Sequence, residues 1–84
     1  GVGMEIFPNP LKELAFVDFD FVEGRTYSYR VQDLGGRVVS ADAFQPRSKS
    51  DHLVLHTDML QGGMYVLTVT DGMFANYKVT FIKQ

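Results

Sequence analysis

Apolar and polar residues alternate with a period of two along most of this chain. In the stretch Leu60-Gln-Gly-Gly-Met-Tyr-Val-Leu-Thr-Val-Thr-Asp-Gly72, Tyr65, Leu67 and Val69 fall on one side and Met64, Val66, Thr68 and Thr70 on the other. Such a pattern predicts a half-buried strand. Gly62-Gly63 bounds it at the start and Asp71-Gly72 at the end, where the backbone takes positive φ cheaply. Residues 73–83 alternate again, with Met73, Ala75, Tyr77, Val79 and Phe81 on one side, so the two stretches predict a hairpin. A two-residue turn on Asp71-Gly72 would mix an apolar face with a polar one. A three-residue loop, Thr70-Asp71-Gly72, instead pairs Val69 with Met73, Leu67 with Ala75 and Tyr65 with Tyr77. It also places Gly72 at the left-handed position of a type I turn with a G1 bulge.

The same logic runs through the rest of the chain. Met4-Glu5-Ile6-Phe7 predicts a short strand closed by Pro8-Asn9-Pro10, a rigid corner lacking two backbone donors. Residues 14–21 set Ala15, Val17, Phe19 and Phe21 against Asp18 and Asp20, and Glu23-Gly24-Arg25 turns. Residues 26–32 set Tyr27, Tyr29 and Val31 against Ser28, Arg30 and Gln32. A three-residue loop on Leu34-Gly35-Gly36 would place Gly36 at the left-handed position and pair Val31 with Val39 and Tyr29 with Ala41. Residues 43–50 are polar, contain Pro46 and read as an exposed loop. In residues 51–57, Leu53 and Leu55 oppose His52, Val54 and His56. Seven strand candidates and no helical periodicity predict an all-β fold, a small seven-stranded antiparallel immunoglobulin-like β-sandwich. Tyr65, Leu67, Val69, Tyr77, Val79, Tyr29 and Val31 should face inward.

Composition narrows the function more than the fold. The 84 residues make one domain, residues 4–84, with residues 1–3 as a tag or linker remnant. A 45% hydrophobic content with seven Phe and four Tyr supports a packed core. The net charge of −2 and the lack of clustered Lys or Arg argue against nucleic acid as a partner. There is no Cys, hence no thiolate metal site, and no apolar run reaches the ~20 residues of a membrane span.

Candidate chemistry is sparse. His52 and His56 on one strand would stand roughly 13 Å apart, too far to share a zinc ion, and His56 with Asp58 is a lone pair of ligands. No metal and no cofactor is expected. There is no Gly-x-Ser-x-Gly elbow, Walker loop or His-Glu-x-x-His, and Asp18, Asp20 and Glu23 read as a solvated face, so the chain is not expected to be an enzyme. Most rings fall on predicted inner faces; Phe16, Phe44 and Phe74 are the exceptions that could form a binding platform.

Four blocks go beyond periodicity. Pro8-Asn9-Pro10 resembles the corner that opens the C-terminal sorting domains of the type IX secretion system (type A, the Por secretion tail). Val31-Gln-Asp-Leu-Gly-Gly-Arg-Val-Val39 is similar to that family's apolar strand, Asp-x-x-Gly turn, basic residue and apolar pair. Leu60-Gln-Gly-Gly-Met-Tyr-Val-Leu-Thr-Val69 resembles its Leu-x-x-Gly-x-Tyr block, and Lys78 with Phe81-Ile82-Lys83 its closing strand. The blocks stand in the family's order over residues 6–84.

The resemblance implies an immunoglobulin-like sandwich that acts as an address rather than a catalyst. Its partners would be an outer-membrane translocon that reads the tail and a sortase-like peptidase that removes it, at or before residues 1–5. A passenger domain would precede it, passing through the periplasm to the cell surface or the medium. Lys78, Lys83 and Gln84 are the first candidates for translocon contact, as charged or terminal groups on or beyond the polar side of the last strand. Asp33, Gly36, Arg37, Gly63 and Tyr65 are candidates within the motif blocks, where the two glycines also serve turns and Tyr65 also serves the core. Pro8, Asn9, Pro10, Leu60 and Gly72 are structural. The alternative is a carbohydrate- or protein-binding accessory sandwich of a secreted enzyme, which would display a row of exposed rings.

Overall fold

The structure, a computed structural model, describes residues 3–73 and 76–84. Seven strands form: β1 (Glu5–Phe7), β2 (Leu14–Asp18), β3 (Tyr27–Asp33), β4 (Val38–Phe44), β5 (Leu53–His56), β6 (Gly63–Thr70) and β7 (Asn76–Lys83). They make two antiparallel sheets, a three-stranded one ordered β1-β2-β5 and a four-stranded one ordered β4-β3-β6-β7. The core lies between them and is built from alternate residues of all strands but β4: Ile6 of β1, Ala15 and Val17 of β2, Leu53 and Leu55 of β5, Tyr27 and Val31 of β3, Tyr65, Leu67 and Val69 of β6, and Phe81 of β7. Tyr29 and Val79 pack against it half-buried. Tyr77 is also half-buried, with its ring 4.4 Å from that of Phe19.

Both hairpins depart from the predicted register. In the last one, Thr70 pairs with Asn76, Val69 with Tyr77, Leu67 with Val79 and Tyr65 with Phe81. The slip from the expected pairing is four residues; being even, it keeps the same faces together. Ala75, the predicted partner of Leu67, lies outside the described residues, as does Phe74. The longer connection lets β7 pair along its whole length, and Tyr65 and Phe81 stack with ring centres 5.6 Å apart. In the predicted register Phe81 would have overrun the start of β6.

The first glycine turn forms as expected: Gly36 has φ +88°, its N–H donates to the Asp33 carbonyl (3.0 Å), and the Asp33 N–H donates to the Arg37 carbonyl (3.0 Å). The register then shifts. Gln32 pairs with Val38, but Val31 pairs with Ser40 and Tyr29 with Asp42, so Val39 is an extra residue in a β-bulge. The expected pairs Val31–Val39 and Tyr29–Ala41 are not made. The bulge has a packing consequence: it turns Phe44, paired with Tyr27, towards the core, where its ring lies 5.0 Å from that of Phe21. A regular ladder would have put Ala43 there. The predicted exposed loop over 43–50 is corrected accordingly, since Ala43 and Phe44 belong to β4 and Pro46 is fully buried.

Candidate functional site

Residues 8–13 belong to neither sheet, yet they join the two. The Phe7–Pro8 and Asn9–Pro10 peptide bonds are cis. Asn9 Oδ1 accepts the Ile82 N–H (2.9 Å), the Leu11 N–H donates to the Ile82 carbonyl (2.8 Å), and the Gln84 N–H donates to the Leu11 carbonyl (2.8 Å). Leu11 is thereby bridged to Lys83 in parallel sense along the outer edge of β7, with its side chain 0% exposed. On the other side, the Thr57 N–H donates to the Glu13 carbonyl and Thr57 Oγ1 to the Lys12 carbonyl. The corner therefore clamps the last residues of the chain to the smaller sheet. An open groove of about 590 Å³ lies beside it, lined by Pro8, Pro10, Lys12, Glu13, Leu14 and Gln84.

The other sequence blocks meet at this same end of the sandwich. Gly63 pairs with Lys83, and Tyr65 with both Phe81 and Asp33. Tyr65 is buried, and its hydroxyl donates to the Gln61 carbonyl (2.6 Å), tying the ring to the turn below Leu60. The 33–37 turn closes the end: Asp33 accepts the Arg37 N–H (2.9 Å) and lies 3.2 Å from its guanidinium. Arg37 lines a second groove with Val38, Val39, Met59, Leu60, Gln61 and Tyr65. Gly72 (φ +79°) belongs to the opposite end of β6.

Two candidate residues part company. Lys78 is exposed on the outer face of the larger sheet, paired with Thr68. Lys83 does not share that face. It points inward with Val79 and Phe81, is 8% exposed, and its Nζ donates to the Lys12 carbonyl. The expectation that Lys83 lies on or beyond the polar side is overturned, because the two lysines are five positions apart, an odd spacing, and side chains alternate. Periodicity alone contained that signal. Leu11, Lys12 and Thr57, which make the clamp, went unmarked because short-range pattern carries no information about a contact between residues 11 and 83.

Other chemistry is thin. Among the described residues no three His, Cys, Asp or Glu are grouped, and no helix is long and apolar enough to cross a membrane. Burial, and then the charge of Asp42, push the Tyr29 hydroxyl above the usual tyrosine value. The rings form a chain of contacts in the interior, Phe44–Phe21–Phe19–Tyr77 with Tyr27 on Phe21. Phe7 and Phe16 are exposed on the smaller sheet, 5.9 Å apart and tilted by 31°.

The pattern of the secretion system C-terminal sorting domain matches residues 5–84, which is nearly the whole chain. The chain belongs to that family, the type IX secretion sorting domains. No curated protein sequence matches it. Among solved structures, the sorting domain is similar to a DUF3244 family protein with an immunoglobulin-like β-sandwich fold from Bacteroides vulgatus. The TM-score is 0.74 at 18% identity, covering 99% of this chain and 85% of the other. At that identity the likeness concerns the fold, and it agrees with the two-sheet sandwich. Membership of the family makes this a tail that acts with the type IX machinery on an attached passenger exported to the cell surface. The family is one of sorting signals, not of catalysts.

Proposed function

We propose that this sandwich is a folded, non-catalytic address, read by the outer-membrane translocon and then removed by a sortase-like peptidase after carrying its passenger through the periplasm. The observation that supports this is the convergence of all four sequence blocks on one end of the molecule. Pro8–Pro10, the 33–37 turn, Gly63 with Tyr65, and Lys83 with Gln84 lie there together although up to 75 residues apart in the chain, counted from Asn9 to Gln84. A recogniser that bound this end would test for the closed fold, since the larger sheet must be in register to bring β3, β6 and β7 there and the corner must dock against β7 and Thr57 to join them. On this reading Arg37 and Gln84 offer exposed polar groups at that end, Lys78 offers one on the adjoining face, and Lys83 acts through the clamp. The exposed pair Phe7 and Phe16 is too short a row, and lacks the polar ring edges, to favour a sugar-binding module.

The test is a fusion of this domain to a periplasm-exported reporter in a host with a type IX system. Surface delivery should occur with the domain and vanish in a translocon mutant. Delivery that persists in the mutant would refute the proposal. A reporter that stays in the periplasm of the intact host would refute it equally.

A further inference from the structure

Thr68 sits midway along β6 on the outer face of the larger sheet, yet it is 1% exposed and its Oγ1 has no hydrogen-bond partner among the described residues. Its cross-strand neighbours on that face are Arg30 of β3 and Lys78 of β7. With strands about 4.8 Å apart, two cations thus stand roughly 10 Å apart with a buried hydroxyl between them. Neither cation is in an ion pair among the described residues. The strand residues that register places on this face include no Asp or Glu. Arg30 is also held. Its Nε donates to Gln32 Oε1 (3.1 Å), and Gln32 Nε2 donates to the Gly36 carbonyl (2.9 Å). The relay starts at the left-handed glycine of the 33–37 turn, and among the described residues the terminal guanidinium nitrogens have no hydrogen-bond or ion-pair partner.

We propose that Arg30, Thr68 and Lys78 form a carboxylate-binding site for an acidic side chain of a partner protein. A buried hydroxyl without a partner is disfavoured, and a ligand that supplies the missing acceptor relieves it. Arg30 is already held in place, and the exposed, flexible Lys78 side chain can swing to meet a ligand beside Thr68. A carboxylate offers two oxygens to a guanidinium edge, an ammonium and one hydroxyl, which are charge-assisted bonds on a flat, open sheet. A phosphate, with more oxygens and a second charge, calls for a deeper cradle of donors. The proposal rests on the sorting reading only for the partner's identity, a component of the secretion machinery presenting Asp or Glu; the site stands without it.

The experiment is an amide NMR titration of this chain with an amidated peptide of alternating Gly and Glu, beside inorganic phosphate. The peptide should give saturable shifts around Arg30, Thr68 and Lys78, weakened about ten-fold by Thr68→Val and by Arg30→Gln. Thr68→Val removes only the hydroxyl and should unfold no earlier than the parent, so its lost binding is not lost structure. Gln32→Ala should weaken binding as well, by releasing Arg30. Unchanged affinity in Thr68→Val, or tighter binding of phosphate than of peptide at these residues, overturns the site. The reporter fusion separates the two readings. Export by the parent that falls in Thr68→Val supports the site. Undiminished export beside lost peptide binding overturns its role in sorting while leaving the address reading intact.

Discussion

Leu11→Ala tests the clamp most directly. Leu11 lies in no sheet ladder proper, yet it is 0% exposed and its backbone holds both Ile82 and Gln84. Truncating a fully buried Leu costs about 2–5 kcal/mol, the transfer of its methyl groups plus the cavity left behind. The upper half of that range applies if the site stays open. Its surroundings are tied by backbone hydrogen bonds of 2.8 Å on either side, so little collapse is available. We therefore expect about 3–4 kcal/mol. A domain of this size has roughly 4–13 kcal/mol in total, so the variant loses a quarter or more of its stability and about 10–30 °C in Tm. Urea unfolding followed by circular dichroism should show a lower midpoint with an unchanged m-value. Native-state hydrogen exchange should show the Leu11 and Gln84 amides losing protection ahead of those in β3 and β6. Lys12→Ala, which leaves the Lys12 carbonyl in place, is the control and should change little. A loss under about 0.5 kcal/mol for Leu11→Ala would mean that residues 8–13 are an ornament on the sandwich.

Three further outcomes follow from other parts of the structure. Lys83→Met keeps the buried stem and removes the charge, and should hold stability within about 1 kcal/mol of the parent or raise it, whereas Lys83→Glu sets an anion against the Lys12 carbonyl and should lose more than about 2 kcal/mol in the same urea assay. Gly36→Val forces a β-branched residue to φ +88° and should lose more than about 1 kcal/mol, while Gly35→Val, at a residue of ordinary φ, loses less; equal losses would refute the turn assignment. Tyr29 is harder to ionise in the folded than in the unfolded chain, so its contribution to stability is full below the ordinary value of 10.0 and is lost as pH rises through the raised folded value. Phenolate absorbance should place that titration above 10.0 and Asp42→Asn should lower it, with Tyr29→Phe weakening the alkaline loss of stability.

Much of this domain is already written in the order of its residues. Period-two alternation carries the strands and their inward faces, because burial on one side of a pleated sheet selects every second residue; Leu53, Leu55, Tyr65, Leu67, Val69 and Val31 are all where that rule puts them. Glycine placement carries the 33–37 turn, because only a residue without Cβ takes φ +88° freely. The four family blocks and their order are likewise local features. Register was decided elsewhere. The pairing of Tyr65 with Phe81 rather than Tyr77 preserves parity, so no local pattern distinguishes it; the full paired length of β7 and the ring stack do. The bulge at Val39 exists for the sake of Phe44 meeting Phe21, a contact with the far side of the core. Above all, only the folded chain brings Asn9 and Leu11 to Ile82 and Gln84, sets the Lys83 ammonium against the Lys12 carbonyl, and sets Arg30 and Lys78 either side of Thr68. Each of these joins residues distant in sequence, where the free energy lies in closing the two sheets on one another and no short window of residues can express it.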